Sequence, residues 1–236
     1  MYDKISIRKE SMGILGKCKN CNNTIQIEEL NGGIDFNNAT LAEYEKFKDF
    51  KVYHCPFCHY VSENIISEPV PEIVKDVINS KDYMFVLDYR YLDKSGIDRN
   101  FWERDILFPA GEYEAYALIC EKKADYVGQI RSLFKSIEMK EALIRRFDRL
   151  IYEDCDEDDF SEEYGALIKC LKASISMNTK EIFAAYKKIK NPNIFLKLIL
   201  VETYLKANLT IEAKYFFTEI TNLNDDLVQY FNSILR

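Results

Sequence analysis

The sequence contains little glycine or proline and no long apolar run, and each shortage excludes a class of structure. Only 8 Gly and 5 Pro occur among 236 residues, whereas an all-β protein needs many tight turns built on these residues. No stretch of 18 apolar residues is present to span a membrane. The charged start MYDKISIRKE has no apolar run behind it, unlike a signal peptide. We therefore expect a cytoplasmic, mainly α-helical protein.

The sequence also lacks an excess of positive charge. Its net charge is −7 at pH 7, with 8 Lys or Arg against 9 Asp or Glu in residues 1–65 and 24 against 30 in residues 66–236. Proteins that bind nucleic acid usually present a positive surface to the phosphates. A local basic excess occurs only in residues 1–21. We therefore do not expect nucleic acid to be the main partner.

Residues suited to catalysis are scarce outside one short segment. There is no glycine-rich phosphate loop and no nucleophile elbow. Both histidines of the chain, His54 and His59, lie in the stretch VYHCPFCHY. We therefore do not expect an enzyme, and a site formed between this segment and the helices is kept as an alternative.

The same stretch contains the second of two Cys-x-x-Cys pairs. The first pair is Cys18 and Cys21, and the second is Cys55 and Cys58. Two cysteines separated by two residues on a tight turn can direct both sulfurs at one ion, and two such turns complete a tetrahedral site. In a reducing compartment such pairs are metal ligands more often than structural disulfides. We predict one structural zinc ion per chain, bound by these four cysteines.

The sequence is also compatible with two alternatives to a zinc site. The thiols can be small core residues, or one pair can be a redox centre, although no βαβ pattern surrounds either motif. His54 and His59 compete as ligands, but four cysteines already close the site. We expect the histidines to shield the centre or to donate N–H groups around it. A closed site leaves no open position for water, so the metal is expected to be structural.

Short extended segments flank both pairs, so each pair is predicted to lie at the tip of a β-hairpin. Between the hairpins, Thr40 and Glu43 form a capping box that opens a short helix through about Phe47. We predict that residues 1–66 form a small zinc-ribbon domain and that residues 67–236 form a helical domain.

Residues that start or cap helices recur along residues 67–236 and predict a series of helices. Pro71 suits the start of a helix through Ile78, and Pro192 suits the start of a later one. Asn178 with Glu181 is predicted to cap a separate helix. The predicted helices span residues 83–108 (ambiguous with strand), 110–126, 128–152, 162–177, 179–190, 193–207, 210–222 and 225 onward, with the acidic stretch 153–163 as a linker or helix start.

Short helices joined by a few residues fold back as hairpins, as in an α-solenoid. Leu200, Tyr204, Ala213 and Phe217 match interlocking positions of a tetratricopeptide hairpin, although Val201 stands where Gly is expected. We predict a repeat-like array from about residue 162 whose inner face binds a protein or peptide. A closed bundle over the helix at 128–152 is the alternative.

The knuckle sequences resemble those of a known family. HCPFCHYVS matches a CPxCG-type knuckle through Cys55, Pro56, Cys58 and Tyr60, with His59 in place of the usual Gly. The first knuckle, CKNCN, has neither the Pro nor the Gly. The chain resembles the uncharacterised bacterial family of conserved proteins with paired CPxCG and CPxCGYA-type zinc knuckles followed by a helical-repeat region. The resemblance implies zinc and helical repeats, and no known activity.

These observations favour a zinc-binding adaptor or scaffold protein that is not a catalyst and binds another protein through its helical region. The first alternative is a zinc-ribbon factor associated with nucleic acid or the ribosome, and the second is an enzyme with a site between ribbon and helices. Cys120, Cys155 and Cys170 lack partners at ligand spacing. We predict that Cys120 and Cys170 are small buried residues within helices.

Overall fold

The computed structural model describes residues 14–27, 34–36, 39–87, 107–153 and 158–236. Its strands are β1 Ile14–Lys17, β2 Thr24–Ile27, β3 Tyr53–His54 and β4 Val61–Ser62. Its helices are α1 Leu41–Lys48, α2 Glu72–Ile78, α3 Lys81–Leu87, α4 Leu107–Lys122, α5 Tyr126–Glu153, α6 Asp158–Tyr186, α7 Ile194–Lys206, α8 Thr210–Thr218 and α9 Asp225–Ile234. The predicted architecture, mainly α with a small N-terminal β part, is confirmed.

The strands form two antiparallel hairpins. β1 pairs with β2, with Ile14 opposite Ile27, and β3 pairs with β4, with His54 opposite Val61. One cysteine pair lies in the turn region of each hairpin, as predicted. Helix α1 lies between the hairpins in the chain and begins after Thr40, whose Oγ1 accepts a hydrogen bond from the Glu43 N–H at 3.3 Å. This bond is one half of the predicted capping box.

One predicted helix boundary is wrong. The sequence predicts a break at Asn178, but α6 runs without interruption from Asp158 to Tyr186. The Asn178 side chain does not cap a helix, because its Nδ2 donates to Glu114 Oε1 at 2.7 Å and to Ser136 Oγ at 3.4 Å. These partners on α4 and α5 satisfy the amide inside the core, so it does not compete with the helix backbone. The two helices predicted on either side of Asn178 are therefore one.

The other predicted helices that fall on described residues form with shifted ends. Helix α2 follows Pro71. Helix α7 is capped by Asn193, whose Oδ1 accepts from the Leu196 N–H at 2.9 Å, so Pro192 precedes the helix rather than starting it. Of the ambiguous segment 83–108, the first five residues belong to α3 and the last two to α4. The part between them lies outside the described residues.

A first core cluster joins α1 to the C-terminal helices. Tyr44 and Phe47 of α1 are buried in it beside Phe195 of α7. At the end of α1, Lys48 Nζ lies 3.1 Å from Glu202 Oε1, which also accepts the Tyr44 hydroxyl at 2.9 Å. Burial by itself would lower the pKa of Lys48. The nearby carboxylates, Glu202 first among them, together have the larger opposite effect, so the pKa of Lys48 lies above its usual range. A buried charged pair of this kind fixes where α1 docks, because separating it leaves an uncompensated charge.

A second core cluster packs both hairpins against α2, α3 and α4. Its fully buried members include Val61, Val74 and Tyr83. A third, smaller cluster joins α4, α5 and α6 through residues such as Leu143 and Phe147. The first two clusters each contain residues from both sides of position 66. The division of the chain into domains at that position stays a prediction.

The C-terminal helices include the predicted hairpin but share one core. Ala213 on α8 is fully buried in the α7–α8 hairpin, as predicted. The element before this hairpin is the 29-residue helix α6 rather than a second short hairpin. Buried residues of α6, α7, α8 and α9 belong to the same cluster as those of α1 and α5. This convergence favours the closed bundle over an open array.

Candidate metal centre

The first cysteine pair lies on a tight turn closed by two backbone hydrogen bonds. The Cys18 N–H donates to the Asn23 carbonyl at 2.9 Å, and the Asn22 N–H donates to the Cys18 carbonyl at 2.8 Å. Asn22 has a φ of 62°, in the left-handed region. Asn enters this region at less cost than most residues do. The turn therefore forms without glycine.

The second pair repeats this geometry at the same offsets. The Cys55 N–H donates to the Tyr60 carbonyl at 2.9 Å, and the His59 N–H donates to the Cys55 carbonyl at 2.9 Å. His59 has a φ of 61°, matching Asn22 in the first turn. His59 and Asn22 each follow the second cysteine of a pair, where a CPxCG motif has glycine. Both turns therefore place a non-glycine residue in the left-handed region at this position.

The two turns bring all four sulfurs together. The Sγ atoms of Cys18, Cys21, Cys55 and Cys58 lie within 4.8 Å of one another, a group that can hold a metal ion. The Cys18 and Cys58 sulfurs are 3.7 Å apart, and so are those of Cys21 and Cys55. A tetrahedral site with Zn–S bonds of about 2.3 Å has S–S edges of about 3.8 Å. The spacing across the two turns therefore fits zinc.

The four thiols differ in their surroundings. Cys18 and Cys55 are fully buried, whereas Cys21 and Cys58 are partly exposed. Burial raises the pKa of Cys18, and it raises the pKa of Cys58 to about 12. Burial also raises the pKa of Cys21, but hydrogen bonds from the Asn23 backbone and side chain outweigh it and lower this pKa to about 7. Because ligands bind as thiolates, a metal must displace the protons of Cys18 and Cys58.

Neither histidine belongs to the four-sulfur group. His54 lies beside it in β3, with Nδ1 3.2 Å from Glu112 Oε1 on α4. Its Nε2 is buried and has no hydrogen-bond partner among the described residues. The exposed His59 stands 5.6 Å from His54 between ring centroids. The histidines thus flank the cysteines, and their expected role in shielding the centre stays a prediction.

Residues remote in sequence hold the two turns in place. The Tyr83 hydroxyl of α3 donates to the His59 carbonyl at 2.6 Å. The Lys19 N–H in the first turn donates to the Ile65 carbonyl, beyond the second hairpin, at 3.0 Å. Sequence reasoning missed Tyr83 and Glu112, since no local pattern marks them. Asn23 could have been found from the sequence, because a side-chain donor two residues after a ligand cysteine can reach its sulfur. Here Asn23 Nδ2 donates to Cys21 Sγ at 3.3 Å.

Of the remaining cysteines, the two that the structure describes lie outside the four-sulfur group. Cys120 is fully buried in α4, as predicted, and burial raises the pKa of its thiol. Cys170 on α6 is only partly buried. Cys155 lies outside the described residues, within the gap at 154–157. The rest of the acidic stretch 153–163 belongs to the end of α5 and the start of α6.

In comparisons with protein-family models, curated proteins and solved structures, nothing matches this chain. The resemblance to the family with paired CPxCG knuckles therefore rests on the knuckle residues themselves. Within the described part of the chain, every helix is too short or too polar to cross a membrane.

Proposed function

We propose that this protein is a non-catalytic zinc-binding protein in which one structural zinc ion per chain is held by Cys18, Cys21, Cys55 and Cys58. The observation that carries the proposal is the group of four sulfurs within 4.8 Å of one another, supplied by two turns of the same geometry. Four thiolates fill a tetrahedral zinc site and leave no position for a reacting water.

The metal would link two parts of the chain that a long insert separates. Helix α1 lies in this insert and packs into the first core cluster, whereas both cysteine turns belong to the second. A zinc ion bound to both turns ties the two ends of the insert together. This supports a role for zinc in setting how α1 docks on the helical region.

Metal analysis of the purified full-length chain tests the zinc proposal. We expect about one zinc per chain, and we expect Cys58→Ser to lose it, because three thiolates hold zinc less tightly than four. Cys170→Ser is the matched control, since it removes a thiol outside the group. Wild-type protein that contains no zinc, and takes up none when its thiols are reduced, would contradict the proposal.

We further propose that the protein serves as an adaptor or scaffold, and that its partner is a protein or peptide. The outer face of α8 supports this, since Ile211 and Tyr215 lie one turn apart and are 81% and 67% exposed. Leu209 at the start of this helix is also exposed. Clustered exposed apolar side chains mark interaction surfaces. The candidate surface is therefore the outer face of the hairpin, not a concave inner face.

Affinity capture from the native host tests the adaptor role. We expect a defined set of proteins to be retained by the wild-type chain and lost with Ile211→Ser combined with Tyr215→Ser, since the two changes remove the exposed apolar face. Ile73→Ser is the matched control, because it removes an exposed apolar side chain from α2 instead. Identical retention by all three proteins would remove the support for this surface.

A further inference from the structure

A groove of about 560 Å³ lies between α5, α6 and the turn that joins α7 to α8. Its lining contains three cationic side chains, Arg145, Lys172 and Lys206, and one carboxylate, Glu141. The chain as a whole has a net charge of −7, so this local surplus of positive charge is opposite in sign to the rest of the molecule. A groove lined by charges of one sign attracts ligands of the other sign.

The carboxylate in the groove is already neutralised. Glu141 Oε2 lies 2.5 Å from Lys206 Nζ, and both side chains are partly buried. This ion pair joins α5 to the C-terminal end of α7, and its two charges cancel. The surplus charge of the groove therefore comes from Arg145 and Lys172.

Arg145 and Lys172 are exposed, and their charged groups are free to bind a ligand. Neither side chain forms an ion pair, a hydrogen bond or a ring contact with any residue that the structure describes. The guanidinium of Arg145 therefore keeps five N–H donors for a ligand, and the ammonium of Lys172 keeps three.

The packing of α5 on α6 determines how far apart these two cations lie. Lys140 Nζ on α5 donates to Ser174 Oγ on α6 at 2.6 Å, and a second bond joins the residues four before on α5 and four after on α6, so the helices run antiparallel. Arg145 lies five residues beyond Lys140, and Lys172 lies two residues before Ser174. The two cations therefore differ by about three residues in level, or roughly 5 Å along the helix axes. Because both side chains line the same groove, one small anion can contact both of them.

Polar donors and apolar side chains complete the lining. Ser176 and Thr179 on α6 contribute hydroxyl groups, and Asn208 contributes a side-chain amide. None of these three side chains donates a hydrogen bond to a described residue. Ile144 and Ile175 are partly buried and add apolar surface. Apolar walls with a few polar groups that fix orientation are typical of small-molecule sites.

The geometry points to a binding site for a small phosphate monoester. At neutral pH this group carries nearly two negative charges and three acceptor oxygens, which match the two free cations and the donors beside them. Arg145 can bind two of the oxygens in parallel, as arginine does with phosphate, and Lys172 supplies the second positive charge. The organic part of the ligand packs against Ile144 and Ile175.

The number of charges sets the specificity of this site. A sulfate ester, or a phosphodiester of nucleic acid, carries only one negative charge per group and leaves one cation of the groove unmatched. The groove shares no residue with the four-cysteine group or with the exposed apolar face of α8.

Calorimetry on the purified full-length chain at about pH 8 tests this site, with phenyl phosphate as the probe and phenyl sulfate as its singly charged counterpart of similar shape. We expect phenyl phosphate to bind about tenfold more tightly than phenyl sulfate. Equal affinities, or no binding of phenyl phosphate up to about 10 mM, would overturn the proposal. A blocked phosphoserine peptide that binds more tightly than phenyl phosphate would overturn the assignment to a small molecule.

Four variants separate the groove from the general charge of the surface. Arg145→Gln and Lys172→Gln are each expected to weaken phenyl phosphate binding by at least about fivefold, and both should fold normally because these side chains are exposed. Arg146→Gln and Lys169→Gln are the matched controls, since they remove the same charges from the same two helices outside the groove. The controls are expected to change the affinity by less than about twofold, because salt screens exposed charges that do not touch the ligand. Similar losses in all four variants would overturn the assignment.

Discussion

At the scale of single residues, both cysteine turns depend on one residue with left-handed backbone. Asn22 and His59 occupy equivalent positions, with φ of 62° and 61°. Each donates its N–H to the carbonyl of the first cysteine in its pair, so the conformation is needed to close the turn. Most side chains oppose this conformation, and glycine does not. The residue type at positions 22 and 59 should therefore affect the free energy of unfolding.

Substitution of Asn22 tests this dependence. Asn22→Ala is expected to lower the free energy of unfolding of the zinc-loaded protein by about 1 kcal/mol, because a Cβ without a compensating polar group disfavours the left-handed region. Asn22→Gly is expected to stay within about 0.5 kcal/mol of the wild type. Urea denaturation of the three proteins gives the comparison. Equal losses in both variants would show that the Asn22 side chain, rather than its backbone, matters.

At the scale of elements, the first hairpin packs against the chain that leaves the second. Gly16 in β1 lies so close to Ile66 that a Cβ on it would be 2.8 Å from Ile66 Cγ2 and 2.9 Å from its Cβ. Real Cβ atoms do not approach so closely, so a side chain at Gly16 must push the two segments apart. The contact sits beside the Lys19 to Ile65 hydrogen bond, which joins the same segments.

A double substitution tests the packing of the two hairpins. Gly16→Ala is expected to destabilise the protein by about 1 to 3 kcal/mol, as overpacking does. Ile66→Ala removes Cγ2 and Cδ1, two of the three atoms that clash, and keeps Cβ, so the double variant should lose less stability than the two single losses added together. Thermal unfolding of the four proteins measures this coupling. Strict additivity would mean that Gly16 and Ile66 do not compete for space.

At the scale of the whole molecule, the four-cysteine group and the helices meet in the second core cluster. The cysteine turns pack there against α2, α3 and α4, while α1 is held in the first cluster by Tyr44, Phe47 and the Lys48–Glu202 pair. Loss of the metal therefore should not affect all parts of the chain equally. Regions with few contacts outside the turns should open first.

Zinc removal by a chelator is predicted to unfold the hairpins and leave most helices intact. Hydrogen exchange should become faster in residues 14–27 and 53–62, because their short strands bury little surface without the metal. Helices α5, α6 and α7 should keep their protection, because their buried residues belong to the first and third core clusters. Far-ultraviolet circular dichroism should fall only slightly. Complete loss of the helical signal on chelation would show that the chain unfolds as one unit.

The overall charge predicts how the molecule behaves toward nucleic acid. The chain has a net charge of −7. We therefore expect its dissociation constants for duplex DNA and RNA at physiological salt to be above about 1 μM, the tight limit of ordinary non-specific binding. Fluorescence anisotropy over a salt series measures this. Tighter binding with a steep salt dependence would favour the alternative of a nucleic-acid-associated factor, and charge reversal at Lys17 and Lys19 would then locate the surface.

The sequence by itself determined the features that depend on neighbouring residues. The spacing of Cys18, Cys21, Cys55 and Cys58 identified the four sulfurs that meet, because two residues between cysteines set the turn locally. Thr40 and Pro71 marked helix starts for the same reason, since a cap acts within one turn. Tertiary structure decided what depends on distant contacts. The local sequence predicts that Asn178 caps a helix. Instead its side-chain amide donates to Glu114, 64 residues away in sequence, and α6 stays continuous. Likewise, only packing placed α1 in the helical core, because Lys48 meets Glu202 across 154 residues of chain.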